Sequence, residues 1–234
     1  MEIPFRNSSF SLSGSEDELL KEVLKSSLFQ NWLNSLDESI HLQSVKLQTY
    51  SRLPDGTFNY IKADTVSSRM DQTFPRVIVL DGYSISILPI LKEKESGDEF
   101  VILQHKFILA TGTFQYAFPF ETTSNVLPDQ KYASDFFDKS CGIKVSPELC
   151  IDLIKSTVPN QNYSYIHPYC GPTDQKNVIF LIKLEMTKNV ISEFNGKSIN
   201  NINIKIVPLK QCRELVNDMI SLSLLAYYRQ FCKK

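Results

Sequence analysis

Residues 118–143 read FPFETTSNVLPDQKYASDFFDKSCGI, and this stretch decides the fold. Phe118 and Phe120 close an apolar run that starts at Phe114 and has strand character. From Gln130 to Ser140 the period changes. Tyr132, Ala133, Phe136 and Phe137 recur three and four apart, the spacing of one helix face. Gly142 then stands where a helix ends in the left-handed conformation that glycine adopts at low cost. The stretch is therefore strand, loop, helix and glycine stop.

Working outward, Arg76 to Leu80, Tyr83 to Leu91 and Phe100 to Phe107 are apolar, β-branched runs that predict strands. Lys92 to Asp98, with Gly97, is a charged hairpin loop between the last two. Farther upstream Val45, Leu47 and Thr49 alternate with polar residues. Pro54-Asp55-Gly56 is a turn, and Phe58, Tyr60 and Ile61 begin the next strand. Downstream, strands are expected at Tyr163 to His167, Val178 to Leu184 and Ile202 to Val207. Pro208 opens a helical tail carrying Leu209, Leu215, Val216, Met219, Ile220, Leu224, Leu225 and Tyr228. At the other end Ser15 to Glu18 reads as a capping box, followed by one helix through Leu19, Leu20, Val23, Leu24, Leu28 and Trp32. Met1 to Gly14 is polar and serine-rich. Such a stretch frays unless something holds it, and a partner is one candidate.

The expected fold is α/β (α+β): an α/β/α sandwich around a mixed sheet, with an N-terminal helix and a small antiparallel β-unit. Residues 1–42 form the extension and helix, 43–75 the β-unit, and 76–234 the main domain. A chain of 234 residues can build a core without staples. Its formal net charge of -1 gives no global pull toward nucleic acid or anionic membrane. Cys141, Cys150, Cys170, Cys212 and Cys232 contain no C-x-x-C pair, so buried free thiols are expected rather than zinc or disulfides. No apolar run reaches the length of a membrane span, and no secretory signal opens the chain. The expected location is intracellular, cytoplasmic in the first place, with an organelle reached without a cleaved presequence as the other option. No G-x-G-x-x-G or P-loop glycine pattern occurs.

Four stretches together resemble the Nudix superfamily, in its ADP-ribose and UDP-sugar pyrophosphatase branch, over roughly Val45 to Phe231. Val77-Ile78-Val79-Leu80 through Leu88-Pro89-Ile90-Leu91 resembles the paired first strands. Phe100 to Lys106 is similar to the strand ending Q-[FY]-R, with Lys106 at the arginine position. Phe118-Pro119-Phe120-Glu121 stands where the family reads L-P-A-G. Gly171-Pro172-Thr173-Asp174-Gln175 resembles the G-x-S-D-E turn. The Nudix box, G-x5-E-x7-R-E-U-x-E-E-x-G-U, then falls without gaps on Glu121 to Ile143. Gly142 takes the second glycine, Ile143 and Phe137 the apolar positions.

The resemblance implies a carboxylate cage for divalent cations, which lower the pKa of an attacking water. This chain departs from it almost everywhere. Glu121 replaces the first glycine, Leu127 the loop glutamate, Asp135 and Phe136 the R-E pair, Lys139 and Ser140 the helix glutamates. Ala117 stands at an acidic position of the branch, and Gln175 ends the G-x-S-D-E turn. A ring cannot ligate a cation, and an ammonium repels one. The expectation is thus a chain without catalytic residues, metal or cofactor: no enzyme, but a structural or accessory subunit of a larger assembly. Its partners would be other protein subunits, or a second copy through the β-unit at Val45 to Val66, as the branch implies. Other readings are a non-hydrolysing nucleotide or nucleotide-sugar binder, contacting it through Lys106, Lys139, His167, Tyr169 and Asp174, and a divergent hydrolase. A relocated acidic site from Asp135, Asp138, Glu185, Glu193 and Asp174 is set against solvated surface acids. Basic residues are scattered, so nucleic acid is not indicated. Tyr163, Tyr165 and Tyr169 are the tyrosines expected to be exposed.

Overall fold

The computed structural model describes residues 1–70, 72–109, 111–157, 165–169 and 171–232; of the side chains at 124, 231 and 232 nothing is described. The chain divides into two compact units. One comprises Met1–Tyr83, Thr122–Leu127 and Tyr169–Lys176, the other Ser84–Glu121, Pro128–Pro168 and Asn177–Lys234.

The first unit is a five-stranded sheet in sequential order. Its strands are β1 (Glu2–Phe5), β2 (Ser8–Ser13), β3 (His41–Arg52), β4 (Phe58–Arg69) and β5 (Gln72–Leu80). Helices α1 (Asp17–Lys25) and α2 (Ser27–Ser35) lie between β2 and β3 in the chain. Leu20, Val23, Phe29 and Trp32 from the helices share a core with Phe10, Leu12, Val45, Leu47, Ile61 and Ala63 from the strands. Each large side chain taken from water there contributes roughly 1.5–3 kcal/mol. Trp32 meets Phe29 edge-on with centroids 5.4 Å apart, so the one tryptophan is core.

Two expectations about this unit are corrected. Residues 1–14 do not fray: β1 and β2 form a hairpin, and β2 runs parallel to β3. Phe10 and Leu12, spaced by two, point into the core and hold it there. The single helix capped by Ser15 is two helices. Glu16 occupies the first N-cap with no side-chain bond. The break falls at Ser26, whose extended backbone ends α1 while its hydroxyl accepts the amide of Phe29 and caps α2. A serine that can bond its own neighbourhood offers the backbone an alternative to continuing the helix.

The second unit is the α/β/α sandwich. Its strands are β6 (Tyr83–Glu93), β7 (Glu99–Ile108), β8 (Thr113–Ala117), β9 (Phe120–Ser124), β10 (Cys150–Asp152), β11 (Lys176–Met186), β12 (Ser198–Ile199) and β13 (Ile202–Pro208). The helices are α3 (Gln130–Cys141), α4 (Leu153–Thr157), α5 (Lys188–Phe194) and α6 (Met219–Tyr227). The strand order is β10-β11-β6-β7-β13-β12, with β8 on β7 and β9 on β6. Side chains two apart share a sheet face, and the two faces build separate cores. Leu88, Ile90, Val101, Leu103, Ile179, Leu181 and Val207 pack with Leu224, Leu225 and Tyr228 of the C-terminal segment. Ile85, Ile87, Leu91, Ile102, Phe180, Ile182, Ile204 and Ile206 pack with Ala133, Phe136, Phe137 and Cys141 of α3.

The run from Phe114 to Phe120 is not one strand. Proline at 119 has no N–H for the ladder, and the run splits into β8 and β9. The expected helical tail is likewise interrupted: a 3-10 segment covers Leu209–Glu214 before α6, and a π turn covers Tyr228–Cys232. The strand expected at Tyr163 to His167 lies partly outside the described residues; Ile166 makes an isolated bridge to Asn177. Cys141, Cys150 and Cys212 are buried free thiols. Burial pushes them up to about 12, about 11 and about 12. Cys170, and the side chain of Cys232, lie outside what is described.

Gly14 joins β2 to α1 at φ 103, a conformation that L side chains rarely adopt. A Cβ there would run into the backbone carbonyl of Leu47 on β3. Gly14→Ala therefore combines torsional strain with a backbone clash. We expect it to lower the stability of the unit by more than about 2 kcal/mol, read by urea unfolding through Trp32 fluorescence. An unchanged midpoint would refute the placement of β2.

Candidate functional site

The loop–helix–glycine stretch forms as its sequence requires. Asp129 caps α3 by accepting the amide of Tyr132 at 2.7 Å. At the other end Gly142 takes φ 67, ψ 24, and its amide donates to the carbonyl of Asp138 at 2.8 Å. Phe136 and Ser140 face inward and are buried. The buried side chain of Gln104 on β7 donates to the Ser140 carbonyl at 3.0 Å, tying the last turn of α3 to the sheet. Asp135 is exposed and Asp138 half-buried.

One face of α3 carries charge. Lys139 Nζ donates to Glu121 Oε2 at 2.9 Å, and the Tyr132 hydroxyl donates to Glu121 Oε1 at 2.9 Å. Burial, then the bond to Glu121, pushes the Tyr132 phenol up to about 12. With the Lys139 side chain 65% exposed and that of Glu121 31%, the ion pair adds at most about 1 kcal/mol. Its consequence is electrostatic. The carboxylate that replaces the first glycine of the box is neutralised by the ammonium that replaces one of the helix glutamates.

Lys106 lies on β7, two residues from Gln104, and so belongs to the α3 side of the sheet. It is half-buried. Burial lowers its pKa below the ordinary value, opposed by the charge of Asp218. Among the described residues none forms a hydrogen bond or ion pair with its ammonium, although one oxygen of Asp218 is buried without a partner. A desolvated cation offset only by the unbonded charge of Asp218 is unusual in a folded protein.

The remaining candidates are placed elsewhere. Leu127 is 52% exposed. His167 is exposed and meets Tyr165 edge-on, while Tyr169 is 51% exposed. Tyr165 is half-buried rather than exposed, and Tyr163 lies outside the described residues. In the first unit Asp174 is engaged by backbone: its carboxylate accepts the amides of Asp81 at 2.7 Å and Gly82 at 3.1 Å. Thr173 donates to Asp81 at 2.8 Å. Burial and the charge of Asp174 raise the Asp81 carboxyl. These bonds fix the turn after β5. Glu121 and Tyr132 work together at the site, and the sequence reading overlooked Tyr132. Its place one turn ahead of Lys139's neighbours, at helical spacing from Phe136, was the available signal.

A sandwich with a strand–loop–helix stretch closed by a left-handed glycine is the arrangement of a Nudix-type fold. The comparisons agree. The chain is similar to "Nudix hydrolase 14, chloroplastic" of Arabidopsis thaliana, at 24% identity over 213 aligned residues, covering 82% of this chain and 66% of that protein. It thus spans just under two thirds of that relative's length. A solved structure titled as an ADP compounds hydrolase superposes with a TM-score of 0.55 at 13% identity, over 85% of this chain and 97% of that one. No protein-family model matches. The chain has a Nudix-type, ADP-ribose pyrophosphatase-like fold. The comparison also corrects one expectation. A protein that is no enzyme was inferred from missing carboxylates alone, and both similar proteins are named hydrolases.

The desolvated Lys106 makes a measurable prediction. Its folded pKa lies below the ordinary 10.5. In the window beneath 10.5 the unfolded chain therefore binds more protons, and stability rises with pH there. Lys106→Met should raise the melting temperature at neutral pH, and its advantage should shrink as pH climbs into the lysine range. Thermal melts of both proteins at about pH 7 and about pH 10 test this. An advantage independent of pH would contradict it.

Proposed function

We propose that this chain binds and hydrolyses a nucleoside-diphosphate-linked compound on the α3 side of the central sheet, using the Lys106 ammonium to meet the phosphates. The observation that carries this reading is Lys106: a half-buried cation on that face with no carboxylate bonded to it among the described residues. A diphosphate supplies a directly bonded counter-charge, and charge-assisted contacts of this kind are shorter and stronger than neutral ones. The class of substrate is taken from the similar proteins, whose names speak of hydrolysis and of ADP compounds.

The family implies divalent cations, but the residues present do not fit them. Phe136 offers no ligand atom, Lys139 is a cation, and the Glu121 carboxylate already accepts from Lys139 and Tyr132. Among the described residues no group of three or more His, Cys, Asp or Glu is arranged to hold a metal. No step is therefore assigned to a metal. Hydrolysis breaks one P–O bond of the diphosphate bridge. Water oxygen bonds to that phosphorus, the other phosphate keeps the bridging oxygen, and the water's protons pass to solvent. Lys106 lowers the cost of charge gathering on the phosphate oxygens during this step. The Tyr132–Glu121–Lys139 bonds tie α3 to the start of β9.

Incubating the protein with ADP-ribose and with UDP-glucose, in magnesium, in manganese and in chelator, tests the reading by product chromatography. The nucleoside monophosphate and sugar phosphate should appear. Lys106→Ala should lower kcat/KM by about 10- to 100-fold, the loss of one charge-assisted contact worth about 1.5–3 kcal/mol. No product from either substrate under any of the three conditions would overturn it.

A further inference from the structure

The opposite face of the same sheet carries aromatic residues beyond its core. Leu103 on β7 is buried there against the C-terminal segment. Farther along the strand, paired residues that share this face are His105 with Asn203 and with Tyr116, and Phe107 with Phe114. His105 stacks on Tyr116 with centroids 4.4 Å apart and an interplanar angle of 25°. Phe114 continues the ladder, 5.2 Å from His105 and 5.3 Å from Phe107. Cover runs out along it: Phe107 is 49% and Phe114 64% exposed. Exposed phenylalanines on a sheet face leave π surface in water.

A cleft of about 360 Å³ adjoins the ladder, lined by His105, Tyr116, Asn195, Asn203, Ile204 and Lys205 among others. The lining holds a cation and two carboxamides but no carboxylate. Lys205 Nζ lies 5.1 Å from the Tyr116 ring centroid, and no described residue forms an ion pair with it. The Asn203 side chain has no hydrogen-bond partner among the described residues either. Asn195 accepts the amide of Ile206 at 2.9 Å, which fixes its orientation. Flat rings beside an ammonium and free amide groups are what one nucleotide needs: a π face for the base, and cationic and N–H donors for the phosphate.

We infer that this face is a second binding site, apart from the α3 side, that takes a nucleotide with its base stacked on the Phe107–Phe114–His105 ladder and its phosphate at Lys205 and Asn203. The nucleotide is either free or one unit of a single-stranded nucleic acid, since base stacking on a sheet serves both.

Adenosine 5′-monophosphate, followed by NMR line broadening, and a short fluorescein-labelled single-stranded RNA, followed by anisotropy, separate the two sources. Binding of either probe to the Lys106→Ala protein, weakened about ten-fold by adding Phe114→Ala or Lys205→Met, supports the site. The RNA binding more tightly assigns nucleic acid, and equal or weaker binding assigns the free nucleotide. Because Phe114 is exposed, its truncation leaves the core intact. Neither probe binding, or both double variants binding like the Lys106→Ala protein, overturns the proposal. So does a dimer in sedimentation that Phe114→Ala dissociates, since the face would then be covered by a second copy. Lys106→Ala keeps the outcome separate from the hydrolysis reading.

Discussion

A single ion pair sets the chemistry of this molecule. Lys139, on the last turn of α3, is bonded to Glu121, which also accepts the hydroxyl of Tyr132. Its contribution to stability is small because both partners reach solvent. Its effect on charge is not. The box register puts Lys139 and Glu121 at positions where the resembled family has a glutamate and a glycine. The negative cage becomes a neutral pair, and Lys106 nearby on the sheet then makes the face cationic. On the proposed reading that face meets phosphate rather than a bare divalent cation.

The sandwich presents that pair because the core on its face leaves α3 little freedom. Phe136 and Phe137 anchor the helix in the sheet. Gln104 holds the carbonyl of Ser140 from the strand side, and the left-handed Gly142 ends the helix against Ile199. Positions where the resembled family has metal ligands hold packing or pairing residues here. Phe136 is the plainest case: where the resembled family has a glutamate, it is 6% exposed, inside a hydrophobic cluster.

Much of this was legible in the sequence. The aromatic spacing through Tyr132 and Phe137 and the glycine at 142 located α3 within a residue or two. The β-branched runs gave β5, β6, β7, β11 and β13. What escaped had weak local signals. Strands β1 and β2 alternate Ile3 with Phe5 and Phe10 with Leu12, but among serines this reads as a polar tail until β3 is present to pair with. The break at Ser26 is invisible to a hydrophobic period that runs on through it. At the site, residue identities revealed the missing carboxylates, yet pairing is a three-dimensional fact. Nothing in the sequence joins Glu121 to Lys139, or stacks His105 on Tyr116. The step from absent carboxylates to an absent activity was the part of the reading that comparison with hydrolases overturned.

The central claim is that ammonium groups, not a carboxylate cage, define the α3 side of the sheet. Titrating the free protein with Mn²⁺ and following the electron paramagnetic resonance of the unbound ion tests it most directly. The account predicts no tight stoichiometric site, with the free-ion signal growing in step with added metal. Tight uptake of one or two ions, lost on Glu121→Gln, would contradict it.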